Sequence, residues 1–290
     1  MTEQELIDKI LISSTALDIF TPSNWLDEYR TFTHLIHPDK CSNPKSADAF
    51  AKLSKFKDEM EYGIEFTDEV CSIRFKDNVC TFTGPKEYLE LSYNNYHSIL
   101  KSVTDPPHFP RYLPKSMEWN GDQLKVHLQE RSILIQDLVL EEKHVKWILN
   151  RLLEFSSISN VIGGWSHVGL NPKSVLVCPE GHGIQIISFY HSRPINTKLN
   201  SIIGVHPYKS WYPTAIFASK MSTLDIDLVM CKRIAMTLLG DKSGVGTSLR
   251  GKIDDGLLSF LLTKETIQEG YVKYQEYLDK FPRIFHALNL

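Results

Sequence analysis

The run HPDK, residues 37–40, combines side chains suited to binding a charged partner. The carboxylate of Asp39 can accept two parallel hydrogen bonds from an arginine guanidinium, and the ring nitrogens of His37 can donate or accept. Pro38 has a fixed φ angle and restricts the residue before it, so the loop has few accessible conformations. A structural alternative stays open, in which Asp39 caps a turn and His37 closes the end of a helix.

A second stretch with candidate functional residues is HVGLNPKSVLVCPEGHGIQIISFY, residues 167–190. Its pattern predicts a loop, a short apolar strand, a turn at PEGHG and a second apolar strand. His167 begins this loop. A metal site needs several histidine, cysteine or carboxylate ligands, and the loop supplies no such partners near His167. We therefore expect a packing and hydrogen-bonding role for this histidine.

Two helices are predicted to position the HPDK run. Proline after His37 predicts that one helix ends there, and a second helix is expected beyond the loop. Apolar residues recur at helical spacing in both segments, which are marked by Trp25, Tyr29, Phe32 and Ile36 in the first and by Phe50, Leu53, Phe56 and Met60 in the second. Two such stripes can pack antiparallel, and they would leave the loop exposed at the tip.

These residues resemble a J-domain, the module of DnaJ-type co-chaperones. YRTFTHLIHPDK is similar to the end of the family's second helix with its His-Pro-Asp tripeptide, and FAKLSKFKDEM is similar to the third helix. The resemblance implies that the loop engages a DnaK-type, seventy-kilodalton heat-shock chaperone and stimulates its ATP hydrolysis. The residues assigned to chaperone binding are Tyr29, Arg30, His34, His37, Pro38, Asp39 and Lys40.

The chain departs from this family in two respects. Family members usually carry several lysines and arginines along the second helix, whereas this sequence has only Arg30 and His34 there, beside Asp27 and Glu28. Fewer positive charges weaken the electrostatic steering of a partner. The glycine-phenylalanine linker and the zinc-binding cysteine region of full DnaJ proteins are also absent, so we expect client binding elsewhere in the chain.

From Gly63 onward the sequence predicts strands followed by helices. CSIRFKDNVCTFTG predicts a hairpin that turns at Asp77 and Asn78, and EYLELSY predicts a further strand. Two more strands are predicted at 123–128 and 132–136, and helical spacing then recurs at Val145, Ile148, Leu152 and Phe155. The expected fold class is α+β, with an antiparallel helical domain at residues 1–62, a β-rich lobe at 63–140 and a helical lobe at 141–290.

The stretch 167–190 resembles the catalytic segment of the protein-kinase fold, in which H-x-D-L-x-x-x-N is followed by two strands and D-F-G. His167, Leu170 and Phe189 keep their places in that register. STLDIDLVMCKRIAMTLLG, from Ser222, resembles the kinase helix that begins near a structural aspartate, which places that role at Asp225. The resemblance implies a two-lobed kinase-like fold for residues 63–290.

The chemistry of kinases does not carry over to these positions. Gly169 stands at the catalytic Asp position, Ser174 at the Asn position and Ser188 at the magnesium-binding Asp position. Magnesium needs oxygen ligands, preferably carboxylates, to neutralise a triphosphate. No glycine-rich loop is recognisable, Glu90 lies near the expected lysine position, and Lys86 is the nearest candidate for it. We therefore expect a pseudokinase that is not an enzyme and holds no cofactor and no metal.

Composition limits the remaining functions. The chain has 290 residues and a formal net charge of -3, so no overall field favours nucleic acid or an anionic membrane. Five scattered cysteines form no C-x-x-C pair, which suggests a reduced compartment, and the amino terminus is unlike a signal peptide. The most apolar long stretch, 224–239, contains four charged residues. We expect a cytoplasmic protein without nucleic-acid or membrane partners.

Three functions remain open from the sequence. The first is an adaptor whose J-domain recruits a DnaK-type chaperone while the pseudokinase domain binds an unknown client protein. The second is an atypical kinase-like enzyme that still binds ATP. The third is a decoy that sequesters the chaperone without stimulating it. A J-domain joined to a degenerate kinase also suggests a bacterial or bacterial-virus setting.

Overall fold

A computed structural model of the chain describes residues 1–13, 15–21, 24–136, 138–282, 284 and 288. These residues form a mixed structure of helices and strands, in agreement with the expected α+β class. The α-helices are α1 (Glu3–Ile12), α2 (Trp25–Ile36), α3 (Ser46–Tyr62), α4 (Lys86–Ser102), α5 (Glu142–Ser157), α6 (Thr214–Ser219), α7 (Leu224–Leu238), α8 (Asp255–Leu262) and α9 (Ile267–Leu278). The strands are β1 (Ile64–Thr67), β2 (Ser72–Lys76), β3 (Val79–Thr83), β4 (Ser116–Trp119), β5 (Gln123–His127), β6 (Ile133–Leu134), β7 (Trp165–Ser166), β8 (Val175–Cys178), β9 (Gly183–Ile186) and β10 (Arg193–Pro194).

The chain divides into two compact units. Unit 1 comprises Met1–Phe66 together with Arg74–Asp77, and unit 2 comprises Thr67–Ile73 together with Asn78–Leu288. The division runs through strands β1 and β2. The domain boundary expected between residues 62 and 63 and the lobe boundary expected between 140 and 141 stay predictions.

The described part of unit 1 contains helices α1, α2 and α3. Thr2 caps α1, because its hydroxyl accepts a hydrogen bond from the Glu5 N–H while the Glu5 carboxylate accepts one from the Thr2 N–H at 2.7 Å. Helix α3 ends at Gly63, whose φ is +84°. A Cβ at this glycine would lie 2.6 Å from the Phe75 carbonyl oxygen, so only glycine fits the turn into β1.

The core of unit 1 forms where the apolar faces of its helices meet. Ile36 of α2 and Leu53 and Phe56 of α3 are buried, and the side chains packed against them include Trp25, Tyr29, Phe32, Phe50 and Met60. Helix α1 adds Leu6, Ile7 and Ile10 to the same core. Both predicted helical stripes are thus confirmed, and the HPDK run lies in the connection between α2 and α3.

Unit 2 includes the antiparallel strands β3, β5 and β4. Val126 of β5 lies opposite Cys80 on one side and Met117 on the other. The turn before β3 is formed by Asp77 and Asn78, which have φ angles of 49° and 60°. Positive φ at both central residues is what a type I′ hairpin turn requires, so the turn prediction is confirmed.

The strand predicted at EYLELSY is wrong, because this segment lies in helix α4. Its buried residues include Leu89, Ser92, Tyr96 and Ile99, at the three- and four-residue spacing of a helix face. The prediction followed the alternation within seven residues and missed the longer helical period. The strand predicted at 132–136 forms only at β6.

The remaining elements of unit 2 surround α5 and α7. Helix α5 buries the four apolar residues predicted for it, and α7 and α9 pack against it. Strands β6, β8 and β9 form an antiparallel sheet in which Leu134 faces Leu176 and Val177 faces Ile184. Loop 167–174 therefore enters this sheet through β8, and segment 187–192 leaves it after β9.

Most of the apolar stretch at 224–239 forms α7, which contributes many buried side chains to unit 2. Within the residues that the structure describes, no helix combines the length and the apolar character needed to cross a membrane.

Candidate functional sites

The HPDK run forms an exposed turn after α2. The Asp39 side chain is 87% exposed, and in the described part of the chain its carboxylate accepts no hydrogen bond. The N–H groups of Lys40 and Cys41 both donate to the His37 carbonyl oxygen at 2.9 Å, which closes the turn. The acid therefore points into solvent from a backbone held by its own hydrogen bonds.

His37 supports this turn from the inside. Its ring packs edge-on against the Phe50 ring of α3, with centroids 5.2 Å apart, and its Nδ1 accepts a hydrogen bond from the Asp39 N–H at 3.2 Å. The Asp39 carboxylate also lies 3.8 Å from Nδ1. A ring nitrogen that accepts a hydrogen bond carries no proton. The hydrogen bond from the Asp39 N–H therefore describes this contact better than an ion pair with the Asp39 carboxylate does.

The other residues expected at this site differ in exposure. Lys40 and His34 are exposed and lie together, with Lys40 Nζ 3.3 Å from His34 Nδ1. Arg30 is exposed but pairs with Asp27 at 3.1 Å on the same helix. Tyr29 packs its ring against Phe20 in the core, so only part of it is available at the surface.

In unit 2, the buried carboxylate of Asp227 holds the start of loop 167–174. It accepts hydrogen bonds from the His167 N–H at 2.7 Å, the Val168 N–H at 2.8 Å and the Asn160 amide at 2.8 Å. Burial raises the pKa of Asp227, and these hydrogen bonds oppose the shift. Val168 has a φ of 66°, a costly conformation for a β-branched residue, which this carboxylate helps to hold.

The structural aspartate was predicted at Asp225, and this prediction is wrong. Asp225 is exposed in the first turn of α7, whereas Asp227, two residues later, is fully buried. Residues two apart on a helix do not share a face, so only one of the two acids can reach the loop. The support of loop 167–174 belongs to Asp227.

His167 is buried beneath the segment that follows β9. Its Nε2 donates to the Ser188 carbonyl oxygen at 2.7 Å, and its Nδ1 accepts from the Gly169 N–H at 3.3 Å. Burial lowers its pKa to about 3, so the ring is neutral at physiological pH. This agrees with the packing and hydrogen-bonding role expected from the sequence.

Gly169, Ser174 and Ser188 are all buried. A Cβ at Gly169 would lie 2.7 Å from Cδ2 of His191, so the histidine closes the space that a side chain there would need. The Ser174 hydroxyl exchanges hydrogen bonds with the backbone of Asn171 at 3.0 Å. Ser188 is buried with its carbonyl bonded to His167.

Phe189 is fully buried and fixed by helix α4. Its N–H donates to the Ser92 hydroxyl at 3.0 Å, and its carbonyl oxygen accepts from the Asn95 amide at 2.8 Å. The Asn95 amide also donates to the Ser192 carbonyl at 3.0 Å. Helix α4 thus holds the segment 188–192 through side-chain to backbone bonds.

An acidic segment, Thr67–Cys71, which we call the acidic strap, packs against the same loops. The Glu69 carboxylate accepts a hydrogen bond from His191 Nε2 at 2.7 Å. Asp68 accepts one from the Tyr190 hydroxyl and two from the N–H groups of Val70 and Cys71 within the strap. Burial raises the pKa of Asp68 and of Tyr190, while these hydrogen bonds oppose the shift at Asp68.

A lysine of loop 167–174 completes the attachment of the strap. The ammonium of Lys173 donates to the Thr67 carbonyl oxygen. The strap therefore contacts loop 167–174 and the segment after β9, on the same side as Gly169. Neither its two acids nor His191 were predicted as site residues, because their partners lie 122 residues apart in the chain.

The residues considered for phosphate binding do not form a site. Lys86 lies at the start of α4, where its exposed ammonium pairs with Asp122 at 2.9 Å, and Glu90 is exposed on the same helix. Strand β3, which precedes the helix, contains no lysine. The described residues also hold no group of three histidine, cysteine or acidic side chains placed to bind a metal ion.

Two residues of the aromatic run HPYKSWY, 206–212, belong to the core. Trp211 and Tyr212 are buried, and the Tyr212 hydroxyl donates to the Val168 carbonyl oxygen at 2.8 Å. Both residues therefore contribute to packing in unit 2. No protein-family model matches this chain, and no curated protein sequence matches it.

Proposed function

We propose that this protein is a J-domain co-chaperone in which unit 1 recruits and stimulates a DnaK-type chaperone. The exposed carboxylate of Asp39, on a turn braced by His37 and Phe50, is the observation that carries the proposal. A carboxylate free of internal hydrogen bonds can pair bidentately with an arginine of the chaperone. Lys40 adds a positive charge beside it, which would orient an acidic partner surface.

We propose that unit 2 is a kinase-like scaffold without phosphoryl transfer. Phosphoryl transfer by a kinase needs a catalytic Asp, an Asn and a magnesium-binding Asp. In the kinase register these positions hold Gly169, Ser174 and Ser188. His191 occupies the space that a side chain at residue 169 would need. The acidic strap adds Glu69, which bonds to His191, and Asp68, which bonds to Tyr190. Two carboxylates at this position would repel the phosphates of a nucleotide, which supports a binding role instead of catalysis.

The mechanism that follows is tethering. Unit 2 binds a client protein, and unit 1 brings the chaperone to that client, so the effective local concentration of the chaperone rises without a need for high affinity. Asp39 engages the chaperone directly, whereas His37 acts by fixing the turn from which Asp39 projects. No step in this mechanism requires nucleotide bound to unit 2.

Binding of a DnaK-type chaperone to the immobilised full chain tests the first half of the proposal. Replacing Asp39 by asparagine should weaken binding by roughly 10- to 100-fold, because a charge-assisted pair contributes about 1.5–3 kcal/mol. Asp48→Asn is the matched control, since this acid is also exposed in unit 1 but lies in the first turn of α3. Equal affinity of the wild type and Asp39→Asn contradicts the proposal.

A second candidate function is a decoy that holds the chaperone without accelerating it. The observation in its favour is the pair between Arg30 and Asp27, which offsets the single arginine of α2, a helix that contains no lysine. Binding alone does not separate the decoy from the co-chaperone. A measurement of ATP hydrolysis by the chaperone does.

A further inference from the structure

A groove on the surface of unit 2, which we call the α7 groove, lies between the segment 210–215, helix α7 and the end of α8. It encloses about 570 Å³. Pockets that bind ligands in proteins typically enclose about 300–1,000 Å³. The groove is separate from loop 167–174 and from the acidic strap, because no residue of either lines it.

The lining of the α7 groove is largely apolar. Leu228, Met236 and Leu261 are buried beneath it, whereas Val245 and Leu262 at its rim are 48% and 44% exposed. Apolar side chains that remain exposed beside an apolar depression are unfavourably hydrated, and an apolar ligand that covers them gains free energy. These residues favour an occupant with apolar side chains.

Three cations, Lys232, Arg233 and Lys264, line the groove together with two acids, Asp225 and Glu265, and one of the cations is fully compensated. Lys232 pairs with Glu265 at 2.8 Å, and both side chains are at most 5% exposed. The Lys232 ammonium also lies 4.1 Å from the centroid of the Phe260 ring. This pair is neutral as a whole and offers little to a ligand.

Arg233 is different, because it has no carboxylate partner among the described residues. Its guanidinium donates to the Gly244 carbonyl oxygen, which uses one of its several N–H donors. The nearest acid that influences it, Asp241, already accepts hydrogen bonds from Ser243 and Gly246. Burial lowers the pKa of Arg233, as expected for a cation removed from water without an anion beside it.

We propose that the α7 groove binds a segment of a partner protein in which apolar residues surround a single Asp or Glu. The carboxylate pairs with Arg233 through its remaining donors, and the apolar side chains cover Val245 and Leu262. A basic segment is disfavoured, because Arg233 and the exposed Lys264 outnumber Asp225, the lining acid that does not pair with Lys232. The inference rests on the proposed function of unit 2 as the client-binding part, and it states what kind of client sequence fits.

Selection of random twelve-residue peptides displayed on phage against the immobilised full chain tests this inference. The enriched peptides should carry Asp or Glu flanked by apolar residues. Made as fluorescein-labelled peptides, they should bind roughly 10-fold or more weakly to Arg233→Gln, and the same loss should follow when their acid is replaced by its amide. Arg250→Gln, an exposed arginine of unit 2 outside the groove, should bind them as the wild type does.

A second pair of variants tests the groove with substitutions that should not disturb folding. Val245 is exposed at the rim, so Val245→Glu and Val245→Lys should both fold, and the glutamate should weaken binding of the acidic peptides while the lysine should not. The inference is overturned if no peptide is enriched, if the enriched peptides lack an acid, or if they bind Arg233→Gln and Val245→Glu as tightly as the wild type.

The failure of this inference can be told apart from the failure of the co-chaperone proposal. Variants of the α7 groove lie in unit 2 and should leave stimulation of the chaperone unchanged, since Asp39 lies in unit 1. Loss of peptide binding with normal stimulation therefore supports the groove and the co-chaperone proposal together. Absent stimulation in the wild type, with normal peptide selection, counts against the co-chaperone proposal alone.

Discussion

Glu69 and His191 form a buried hydrogen-bonded pair in unit 2. The Glu69 Oε1 atom lies 2.7 Å from His191 Nε2, and the two side chains are 8% and 4% exposed. The other ring nitrogen of His191 lies 2.9 Å from the Ser201 hydroxyl, and the ring itself packs on Gly169. One histidine thereby links the acidic strap, loop 167–174 and the segment near residue 201.

Removal of the acceptor at Glu69 should destabilise unit 2. Glu69→Leu leaves the buried His191 Nε2 without a partner, which should lower the free energy of unfolding by about 1–3 kcal/mol. Urea unfolding followed by tryptophan fluorescence measures this change, because Trp25 is in unit 1 and the other four tryptophans are in unit 2.

The exposed pair between Glu118 and His127 provides the control for this substitution. These side chains lie 3.3 Å apart, but Glu118 is 67% exposed. Glu118→Leu should change the free energy of unfolding by less than about 0.5 kcal/mol, because an ion pair whose carboxylate is largely exposed contributes little. Equal effects of the two substitutions would show that the strap is not held by Glu69.

The two aspartates at the start of α7 should differ sharply in their contribution to stability. Asp227→Asn replaces an acceptor of three hydrogen bonds by an amide that cannot accept all of them, and the unfolding free energy should fall by about 3 kcal/mol. Asp225→Asn should change it by less than about 0.5 kcal/mol. Urea unfolding of both variants makes the comparison, and a larger effect at Asp225 would contradict the role given to Asp227.

His167 should make unit 2 less stable as the pH falls. The unfolded histidine takes up a proton near pH 6.5, whereas burial lowers the pKa of the folded one to about 3. The stability that depends on a neutral His167 is therefore fully present above the pKa of the unfolded state, and it is lost as the pH falls below that pKa. Between about pH 7 and about pH 5 this loss should amount to about 2 kcal/mol.

A comparison of variants isolates this histidine from acids whose pKa values are also shifted by burial. The raised pKa values of Asp68 and Asp227 change stability in the opposite direction, so the difference between proteins is the informative quantity. His167→Gln should unfold in urea with a shallower dependence on pH than the wild type. His97→Gln, at an exposed position of α4, should keep the wild-type dependence, and identical profiles for all three proteins would exclude the effect.

Mg-ATP should not stabilise this protein. A ligand that binds only the folded state raises the melting temperature. Under the proposal for unit 2, the carboxylates of Asp68 and Glu69 would repel a triphosphate. A thermal-shift titration to millimolar Mg-ATP should therefore leave the melting temperature of the wild type unchanged. A rise that depends on the nucleotide concentration would favour the alternative of an ATP-binding enzyme.

Patterns local in the chain could be predicted from the sequence. The helical stripes around Ile36 and Leu53 and the turn at Asp77 and Asn78 follow from periodicity and turn chemistry, which act over a few residues. The exposed position of Asp39 followed in the same way from the proline that ends α2. The strand expected at EYLELSY shows the limit, because seven residues fit both a strand and one face of a helix.

Contacts between distant segments could not be predicted. Asp225 and Asp227 look equivalent in sequence, and only the packing of α7 against loop 167–174 decides which of them is buried. The acidic strap resembles any solvated loop, since its partners lie 122 residues away. Local chemistry cannot identify such partners without the tertiary arrangement.

The rate of ATP hydrolysis by a DnaK-type chaperone, measured in a single turnover with and without the full chain, tests the central proposal most directly. The wild type and Asp48→Asn should both accelerate hydrolysis, whereas Asp39→Asn should leave the rate near that of the chaperone alone. An unchanged rate with the wild type, or equal acceleration by Asp39→Asn, would contradict the co-chaperone proposal, and tight binding without acceleration would identify the decoy instead.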